Sequence, residues 1–400
     1  MGLLLLLLLA GILMLALWGG ANWFVAKRIY QCAAFVNGKT SGKWFGIVYT
    51  LLAIPLFLGI LPLPIPLGLW YALRVFGAYW MGFFVYLFML LLLAEVVLLC
   101  VKGVRYAMPG GRGRPPLQGI RQWVTVIACG IAIATSTFGF INAAHLRVAS
   151  YEITLSRPLS GEPMTIVFIA DLHLSEVNSE RWLPRIVRQI NALEPDIVVM
   201  VGDIFNDDFY LIRRPQQAAE VLRKIDSTFG VFACLGNHDA GPTVYSMMNF
   251  LQYSNITLLN EDHAIIDERL VLIGRVDPFP SNPIYGFGEI ERGELSDILA
   301  RVYAELYERN LPELPIVVID HNPINIPEYG NEIDLAIFGH THRGQFFPGS
   351  IVTRLMYIID HGHLPATDYT PHVLVTQGVH TWLMPMRVGT NNEVGVVVIR

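Results

Sequence analysis

The stretch Val231-Phe232-Ala233-Cys234-Leu235-Gly236-Asn237-His238-Asp239 joins a short apolar run to a polar turn. The apolar run predicts a buried β-strand, because strands covered on both faces are continuously apolar. The last four residues place a carboxamide, an imidazole and a carboxylate on one tight turn. Such residues make poor core material and are typical of a strand that ends in a cleft. Their weight as evidence depends on whether other runs end in the same way.

Four other apolar runs, all after residue 150, also end in Asp or His side chains. They are 165–170 before Asp171-Leu172-His173, 197–201 before Gly202-Asp203, 316–319 before Asp320-His321, and 335–338 before Gly339-His340-Thr341-His342. Asp171 and His173 are two residues apart and project to the same side of an extended chain. Both side chains can therefore reach one ion.

The segments between these runs predict helices and a few further strands. Helices are expected over 179–193, 215–229, 243–253 and 288–310, and short strands over 258–260, 264–267 and 270–273. Strands that alternate with helices favour an α/β layered fold with covered sheets. Sites in such folds lie beyond the carboxyl ends of the strands. We therefore expect the polar strand ends to meet.

Charge is distributed unevenly along the 400 residues, of which 53% are apolar. Residues 1–150 hold 11 of the 28 Lys and Arg residues and one of the 33 acids, Glu95. The rest of the chain is therefore acidic, and it also holds ten of the 11 histidines. An acidic domain is a poor electrostatic partner for nucleic acid but suits cations. The four cysteines show no disulfide or zinc spacing, so we expect all of them to be small buried apolar residues.

The basic region at the start of the chain predicts membrane spans. A span needs about 20 apolar residues, and four segments meet this length closely: 2–26, 44–61, 76–101 and 123–144. The first lacks the basic start of a signal peptide and is interpreted as a span. The chain is thus divided into an all-α transmembrane region (1–147), a linker and lead-in (148–164) and an α/β domain (165–400).

The orientation follows from the basic loops. Loop 27–43 carries four bases, loop 102–122 carries five, and the turn between the second and third spans carries only Arg74. Basic loops favour the cytoplasm. With four spans, we expect a multi-pass protein of the inner or cell membrane whose α/β domain lies on the extracytoplasmic side. A re-entrant segment 44–61 would reverse that orientation. Glu95 is a functional candidate inside a span, with pairing to a nearby basic side chain as the favoured alternative.

The polar strand ends allow more than one interpretation. Taken singly, Asp171 and Asp203 could be turn or capping residues, and His321 could be an ordinary loop histidine. Taken together, imidazole, carboxylate and amide groups suit divalent Mn, Zn or Fe. Their number exceeds the need of one ion and fits two ions that share a carboxylate.

These blocks, in this order, resemble the signature of the calcineurin-like metallophosphoesterases. The resemblance covers about residues 160–400 and is specific, because five blocks occur in order. Gly344-Gln345 and Gly378-x-x-Thr381 with Pro385-x-Arg387 are similar to a membrane-associated bacterial branch, whereas Arg343 and His380 depart from it. The resemblance implies an α/β fold of four layers, an αββα sandwich in which helices flank two central β-sheets.

The resemblance also implies a role for each residue of the signature. It implies two divalent metal ions: Asp171, His173 and His342 hold the first, Asn237, His321 and His340 hold the second, and Asp203 bridges them. His238 faces the phosphate as a cation or acid, with Asp239 orienting it; a purely structural His238 is the alternative. Arg343 either pairs with a substrate phosphate or is a solvated loop charge.

The function expected from these features is membrane-anchored hydrolysis of a phosphate mono- or diester, including a lipid-linked one, by attack of a metal-bridging hydroxide. One alternative is a cytoplasmic-facing pyrophosphatase that acts on a nucleotide-activated lipid precursor. Another is a non-catalytic binding domain on the same fold. The residues leave the substrate, the metal identity and the oligomeric state open.

Overall fold

The computed structural model describes residues 2–38, 40–60, 64–107 and 118–400. The chain divides into two compact units, residues 1–138 and residues 139–400.

The first unit is helical. Its helices are α1 Gly2–Asn37, α2 Gly42–Ala53, α3 Pro55–Ile60, α4 Leu67–Ala107 and α5 Gln118–Ala143, the last of which continues into the second unit. Three stretches within the described residues are long and apolar enough to cross a membrane, Gly42–Gly59, Leu67–Tyr106 and Gly119–Ala143. The predicted span 2–26 lies inside α1, and the predicted span 44–61 is divided at Ile54, before the α3 proline.

Some residues on which the predicted membrane orientation depends lie outside the described part of the chain. They are Lys39, residues 61–63 of the proline-rich turn, and residues 108–117 with Arg112 and Arg114. Glu95 lies on α4 and forms ion pairs with Arg28 of α1 and with Arg121 of α5, the latter at 2.6 Å. The pairing interpretation of Glu95 is confirmed.

The cysteine prediction is wrong in part. Cys32 and Cys234 are buried, but Cys129 is half-buried and Cys100 is exposed on α4. Apolar side chains on a membrane helix can face lipid instead of protein, so burial inside the protein is not required there. All four thiols are free in the structure.

The second unit contains two six-stranded sheets within the described residues. The first has the order β1-β12-β2-β3-β4-β5 and the second the order β10-β11-β9-β8-β7-β6. The strands are β1 Leu146–Ile153, β2 Met164–Ile169, β3 Ile197–Val201, β4 Val231–Cys234, β5 Ile256–Leu258, β6 Asp262–Ile266, β7 Leu270–Gly274, β8 Ile316–Ile319, β9 Leu335–Phe338, β10 Gly362–Leu364, β11 His372–Val375 and β12 Asn392–Ile399. The helices are α6 Leu183–Asn191, α7 Pro215–Leu222, α8 Val244–Tyr253, α9 Leu295–Glu308 and α10 Gly349–Met356.

Three apolar layers hold this unit together. The middle layer packs the sheets against each other, with Phe168 and Val199 from the first sheet and Val317 and Ile337 from the second. An outer layer joins the first sheet to α6, α7 and α8. The other outer layer joins the second sheet to α9. The predicted αββα sandwich is therefore confirmed, and each sheet is covered by apolar side chains on both of its faces.

Strands at both ends of this unit differ from the prediction. Residues 148–164, predicted as a linker and lead-in, include most of β1, which pairs in parallel with β12. β1 has a largely exposed, alternating surface, so it lacks the continuous apolar run that marked the other strands. Strands β10, β11 and β12 were also not predicted, although β12 runs antiparallel to β2 in the interior of the first sheet.

Several predicted helices are shorter in the structure, and two predicted strands begin two residues earlier. The segment 179–193 is helical only from Leu183 to Asn191, and 288–310 only from Leu295 to Glu308. The helix predicted to reach Phe229 ends at Leu222, because Thr228 and Phe229 donate their backbone N–H groups to Pro195 and Asp196 instead. Tertiary hydrogen bonds therefore override local helix propensity here.

Candidate metal centre

The predicted ligands follow strands of both sheets. Strands β2, β3 and β4 are neighbours in the first sheet, and β8 and β9 are neighbours in the second. Backbone bonds continue past the strand ends: Asp171 N donates to Gly202 O at 3.1 Å, and Gly339 N donates to His321 O at 2.9 Å. These bonds fix the polar turns within each sheet against one another.

One group of side chains converges after β2 and β9. It consists of Asp171, His173 and His342, all of them buried, and their donor atoms could hold a metal ion. His342 Nε2 lies 3.4 Å from Asp171 Oδ1 and 3.2 Å from His173 Nε2. His173 Nε2 lies 3.9 Å from Asp171 Oδ1. These are the three residues predicted for the first metal ion.

A second group lies beside the first. Asp203, His321 and His340 place their donor atoms close enough for a second ion. His321 donates its Nδ1 hydrogen to Val201 O at 2.8 Å, which leaves Nε2 free to act as a ligand. His340 Nδ1 lies 2.9 Å from Asn237 Oδ1, so the predicted amide ligand is also at this position.

Asp203 lies between the two groups. Its Oδ2 atom is 3.1 Å from His321 Nε2 and 3.6 Å from His173 Nε2, so one oxygen faces a histidine of each group. Its Oδ1 atom accepts a hydrogen bond from His238 N at 2.8 Å, which fixes the carboxylate. This is the position that a bridging ligand requires.

The protonation states of the proposed ligands differ before a cation binds. Burial would lower the pKa of His321, but the charges of Asp203 and Asp171 outweigh it and hold this pKa well above its usual range, so a cation that binds His321 must displace a proton. Burial lowers the pKa of His173 to about 3 and holds that of His342 well below its usual range, so both imidazoles are neutral. Burial raises the pKa of Asp171 to about 7. Burial also acts to raise the pKa of Asp203, but the charges of His321 and His238 outweigh it and hold this pKa well below its usual range.

The backbone of the centre is strained and closely packed. Asp171, Asp203 and His340 have φ angles of 58°, 50° and 69°, in the left-handed region that side chains usually avoid. A Cβ atom at Gly236 would lie 2.3 Å from Asp203 Oδ1, so this position in the turn requires glycine. Strain at several ligand positions and a close approach of the backbone together mark a functional site.

The donor set fits a pair of divalent cations. Asp171 Oδ1 is buried and has no hydrogen-bond partner among the described residues. The neutral His173 and His342 direct Nε2 atoms at each other across 3.2 Å. A buried acceptor is costly without a partner, and a cation between these atoms satisfies all three. Imidazole nitrogen and carboxylate oxygen are the ligands that Zn, Mn and Fe accept.

Comparison with known proteins agrees with this geometry. A profile described as calcineurin-like phosphoesterase matches residues 164–344, the span that holds every residue of the two groups. The chain carries a calcineurin-like phosphoesterase domain. This family consists of hydrolases that act on phosphoester bonds.

Relatives with the same domain include membrane proteins. A transmembrane protein with metallophosphoesterase domain from Danio rerio is 28% identical over 289 residues, which cover 69% of this chain and 62% of that protein. Its counterpart from Bos taurus is 25% identical and covers 77% and 72% of the two chains. An uncharacterized metallophosphoesterase from Aquifex aeolicus is 26% identical and covers 68% and 98%. The chain thus spans less than two thirds of the Danio rerio relative.

His238 of the phosphoesterase domain is oriented by a residue that sequence reasoning missed. Its Nδ1 atom lies 2.7 Å from Asp207 Oδ1, which also accepts a hydrogen bond from Ser281. Its ring centroid lies 5.5 Å from that of Trp382. Burial would lower the pKa of His238, but the charges of Asp203 and Asp207 and the Asp207 hydrogen bond outweigh it and raise the pKa to about 9.

The prediction that Asp239 orients His238 is wrong. Asp239 is fully buried and accepts hydrogen bonds from Phe205 N and Gly236 N, each at 2.8 Å. The tight turn directs the Asp239 carboxylate back to the backbone, so this residue holds two loops together. Asp207 lies four residues after Asp203, and no short-range sequence pattern links it to His238.

Arg343 lies directly after a candidate ligand but in an unusual conformation. It is half-buried with φ of 51°, and its Nε atom is buried without a hydrogen-bond partner among the described residues. Whether it contacts a substrate phosphate stays a prediction.

Arg387 is a buried residue that stabilises the turn of the candidate metal centre. Its side chain is fully buried, and burial lowers its pKa to about 10. Nη1 donates to His342 O at 2.8 Å, Nη2 to Gln377 O at 2.6 Å, and Nε to Asn392 Oδ1 at 2.7 Å. It thereby joins the histidine turn after β9 to the end of the chain.

Proposed function

We propose that the protein is a membrane-anchored phosphoesterase that uses two divalent metal ions. The observation that carries this proposal is the placement of Asp203, whose Oδ2 atom faces a histidine of each group. The proposed ligands are Asp171, His173 and His342 for one ion, Asn237, His321 and His340 for the other, and Asp203 for both.

Two such ions supply Lewis-acid chemistry, which activates water and neutralises charge on a phosphoryl group. The residues of this chain position the reacting groups around them. His238, held by Asp207, presents Nε2 as the donor for a phosphate oxygen or for the leaving-group oxygen. Trp382 stands beside this imidazole and restricts the approach of water to it.

The proposed substrate is an amphiphilic phosphate ester, such as a lipid-linked mono- or diester. Its support is the apolar helical unit, because anchorage to a membrane gives an enzyme most advantage when its substrate is held there too. The half-buried Arg343 guanidinium next to His342 is the proposed contact for the substrate phosphate.

The test is metal-dependent release of phosphate by the purified full chain from a generic aryl phosphate. We expect activity with Mn²⁺, Zn²⁺ or Fe²⁺, loss on chelation, and loss in Asp203→Ala. The matched control is Asp208→Ala, because Asp208 lies in the same segment but caps a short turn through Tyr210 N. Activity that survives both chelation and Asp203→Ala would contradict the proposal.

The substrate class is decided by a separate screen. The purified chain is assayed with each metal against matched pairs of phosphoesters that differ only in the presence of an acyl chain. A preference for the acylated member of each pair is expected. Equal rates on both members of each pair would contradict the proposed preference for lipid-linked substrates, but they would not contradict the phosphoesterase proposal.

We also propose that the phosphoesterase domain lies on the extracytoplasmic side. Its support is the basic loops 27–43 and 102–122. The test is labelling of Glu291→Cys, at an exposed position, by an impermeant maleimide in intact cells, with the exposed Cys100 replaced by Ser. Labelling only after the cytoplasm is opened would reverse the assignment.

A further inference from the structure

Helix α10 has an inverted amphipathic pattern. Ser350 and Thr353 are half-buried against the protein, and Thr353 Oγ1 donates to the Asp360 carboxylate at 2.7 Å. The apolar side chains point away from the protein instead. Ile351 is 50% exposed, Val352 54%, Leu355 83% and Met356 64%. A helix on a water-facing surface shows the opposite arrangement.

The residues on either side of the helix extend this apolar surface. Phe347 precedes α10 and is 54% exposed, and Ile358 follows it and is 66% exposed. We call the six residues Phe347, Ile351, Val352, Leu355, Met356 and Ile358 the α10 surface. Contiguous exposed apolar residues of this kind mark a contact with a protein or a membrane.

The charge around the α10 surface favours a lipid membrane. Residues 345–359 contain one charged residue, Arg354, and no acid, and the next residue, Asp360, is buried with its carboxylate bonded to Thr353. Arg354 is exposed in the last turn of α10. The rest of the domain is strongly acidic, so this segment is a local exception. Apolar residues with a basic side chain and no acid are typical of helices that lie in the headgroup region of anionic bilayers.

The α10 surface also adjoins the metal centre. Gly344, two residues after His342, contacts Gly349 so closely that a Cβ at Gly349 would lie 2.3 Å from Gly344 O. At the other end of α10, the Tyr357 ring packs edge-on against His340 with centroids 6.3 Å apart. Both ends of the helix are therefore fixed to the turn that carries two proposed ligands.

Only two residues separate helix α5 from the first strand of the domain. Helix α5 ends at Ala143, and β1 begins at Leu146. Three residues reach about 10 Å at most when fully extended. The first strand of the domain therefore begins close to the end of a helix that is long and apolar enough to cross the bilayer.

We propose that the α10 surface docks on the lipid bilayer and places the metal centre at the level of the lipid headgroups. The occupant is the bilayer itself, recognised by apolar insertion and by Arg354. A second copy of the chain and a soluble partner protein are the competing occupants. The proposal goes beyond phosphoester hydrolysis and does not rest on it.

The test uses the full chain reconstituted in nanodiscs of anionic lipid. Leu355→Cys, in a background with Cys100 and Cys129 replaced by Ser, is labelled with an environment-sensitive fluorophore. The matched control is Tyr307→Cys, at an 86% exposed position on α9. We expect a blue shift at position 355 and quenching by lipids that carry a nitroxide about 5–10 Å below the headgroups, with neither effect at position 307.

The outcomes separate the possible occupants. A blue shift at 355 without quenching by lipid indicates a protein contact and overturns the proposal, as does a signal at 355 equal to that at 307. Arg354→Glu should reduce the quenching in anionic nanodiscs. Unchanged quenching would contradict the proposed role of Arg354 in binding anionic lipid. If Leu355→Cys does not fold, Met356→Cys reports on the same surface. Fluorescence needs no catalytic turnover, so failure of docking and failure of phosphoesterase activity are distinguishable.

Discussion

Two acidic residues near His238 perform different tasks. Asp207 binds the imidazole, whereas Asp239 binds the backbone of two loops. The sequence places Asp239 directly beside His238, yet the 3-10 turn from Asn237 to Asp239 separates their side chains. At the scale of single residues, adjacency in sequence is therefore a poor guide to contact in a tight turn.

Asp207→Asn should lower the turnover of the phosphoesterase while leaving its metal content unchanged. The amide cannot stabilise a protonated His238, and loss of such an orienting partner costs roughly 10- to 100-fold in activity. Turnover on an aryl phosphate and metal content by elemental analysis are measured together. Asp208→Asn is the control. Full activity in Asp207→Asn would show that His238 does not need this carboxylate.

His380 should make folding sensitive to acid. Burial lowers its pKa to about 3, and its Nε2 atom has no hydrogen-bond partner among the described residues. An unfolded histidine has a pKa of about 6.5. Below that pH the unfolded state binds a proton that the folded state does not, so stability falls as the pH drops, by at most about 1.4 kcal/mol per pH unit.

The measurement is urea unfolding between pH 7 and pH 5. His380→Gln should lose part of the decrease in stability that the unsubstituted chain shows over this range. His145→Gln, at an exposed histidine, is the control. An identical pH dependence in His380→Gln and the unsubstituted chain would show that His380 does not contribute.

At the scale of elements, the strands that carry ligands could be predicted, and the strands that support them could not. Strands β8 and β9 were predicted at their observed bounds, because in each of them four continuously apolar residues are followed by Asp-His or by Gly-His. Strand β1 is an edge strand with an exposed face. Strand β12 begins with the polar Asn392 and Glu393, whose side chains are bound by Arg387 and Gln377. The contact between Gln377 and Glu393 joins residues 16 apart in the sequence, so it leaves no local pattern.

Gly395 shows how closely β12 packs in the first sheet. It lies opposite Phe168 of β2, and a Cβ atom at Gly395 would lie 2.1 Å from Phe168 Cζ. Gly395→Ala should therefore destabilise the domain by about 1–3 kcal/mol through overpacking. Gly293→Ala is the control, because its Cβ would meet no atom closer than 3.8 Å.

Thermal or urea unfolding measures this effect, and a double-mutant cycle assigns it to the ring. Phe168→Leu frees the space, so Gly395→Ala should cost less in that background than in the unsubstituted chain. Equal costs in both backgrounds would mean that the ring is not the source of the clash.

For the whole molecule, charge is divided between a basic helical unit and an acidic domain whose proposed metal ligands include the buried carboxylates of Asp171 and Asp203. Metal ions that bind the folded state alone stabilise it by mass action, by about 2.7 kcal/mol at 100 times the dissociation constant. We expect Mn²⁺ or Zn²⁺ to raise the melting temperature of the unsubstituted chain and to have little effect on Asp203→Ala. Equal shifts in both proteins would indicate that the ions bind elsewhere.

The proposed ligands are divided between the two sheets, which are held apart by a single layer of apolar side chains. The thickness of that apolar layer determines the distance between the ligands of one sheet and those of the other. We therefore expect apolar residues of this layer, which do not contact a metal ion, to influence the ionic radius that the site prefers. Val317→Ala thins this layer, whereas Val318→Ala on the same strand faces the opposite side. We expect the ratio of Mn²⁺ to Zn²⁺ affinity, measured by competitive titration, to change in Val317→Ala alone.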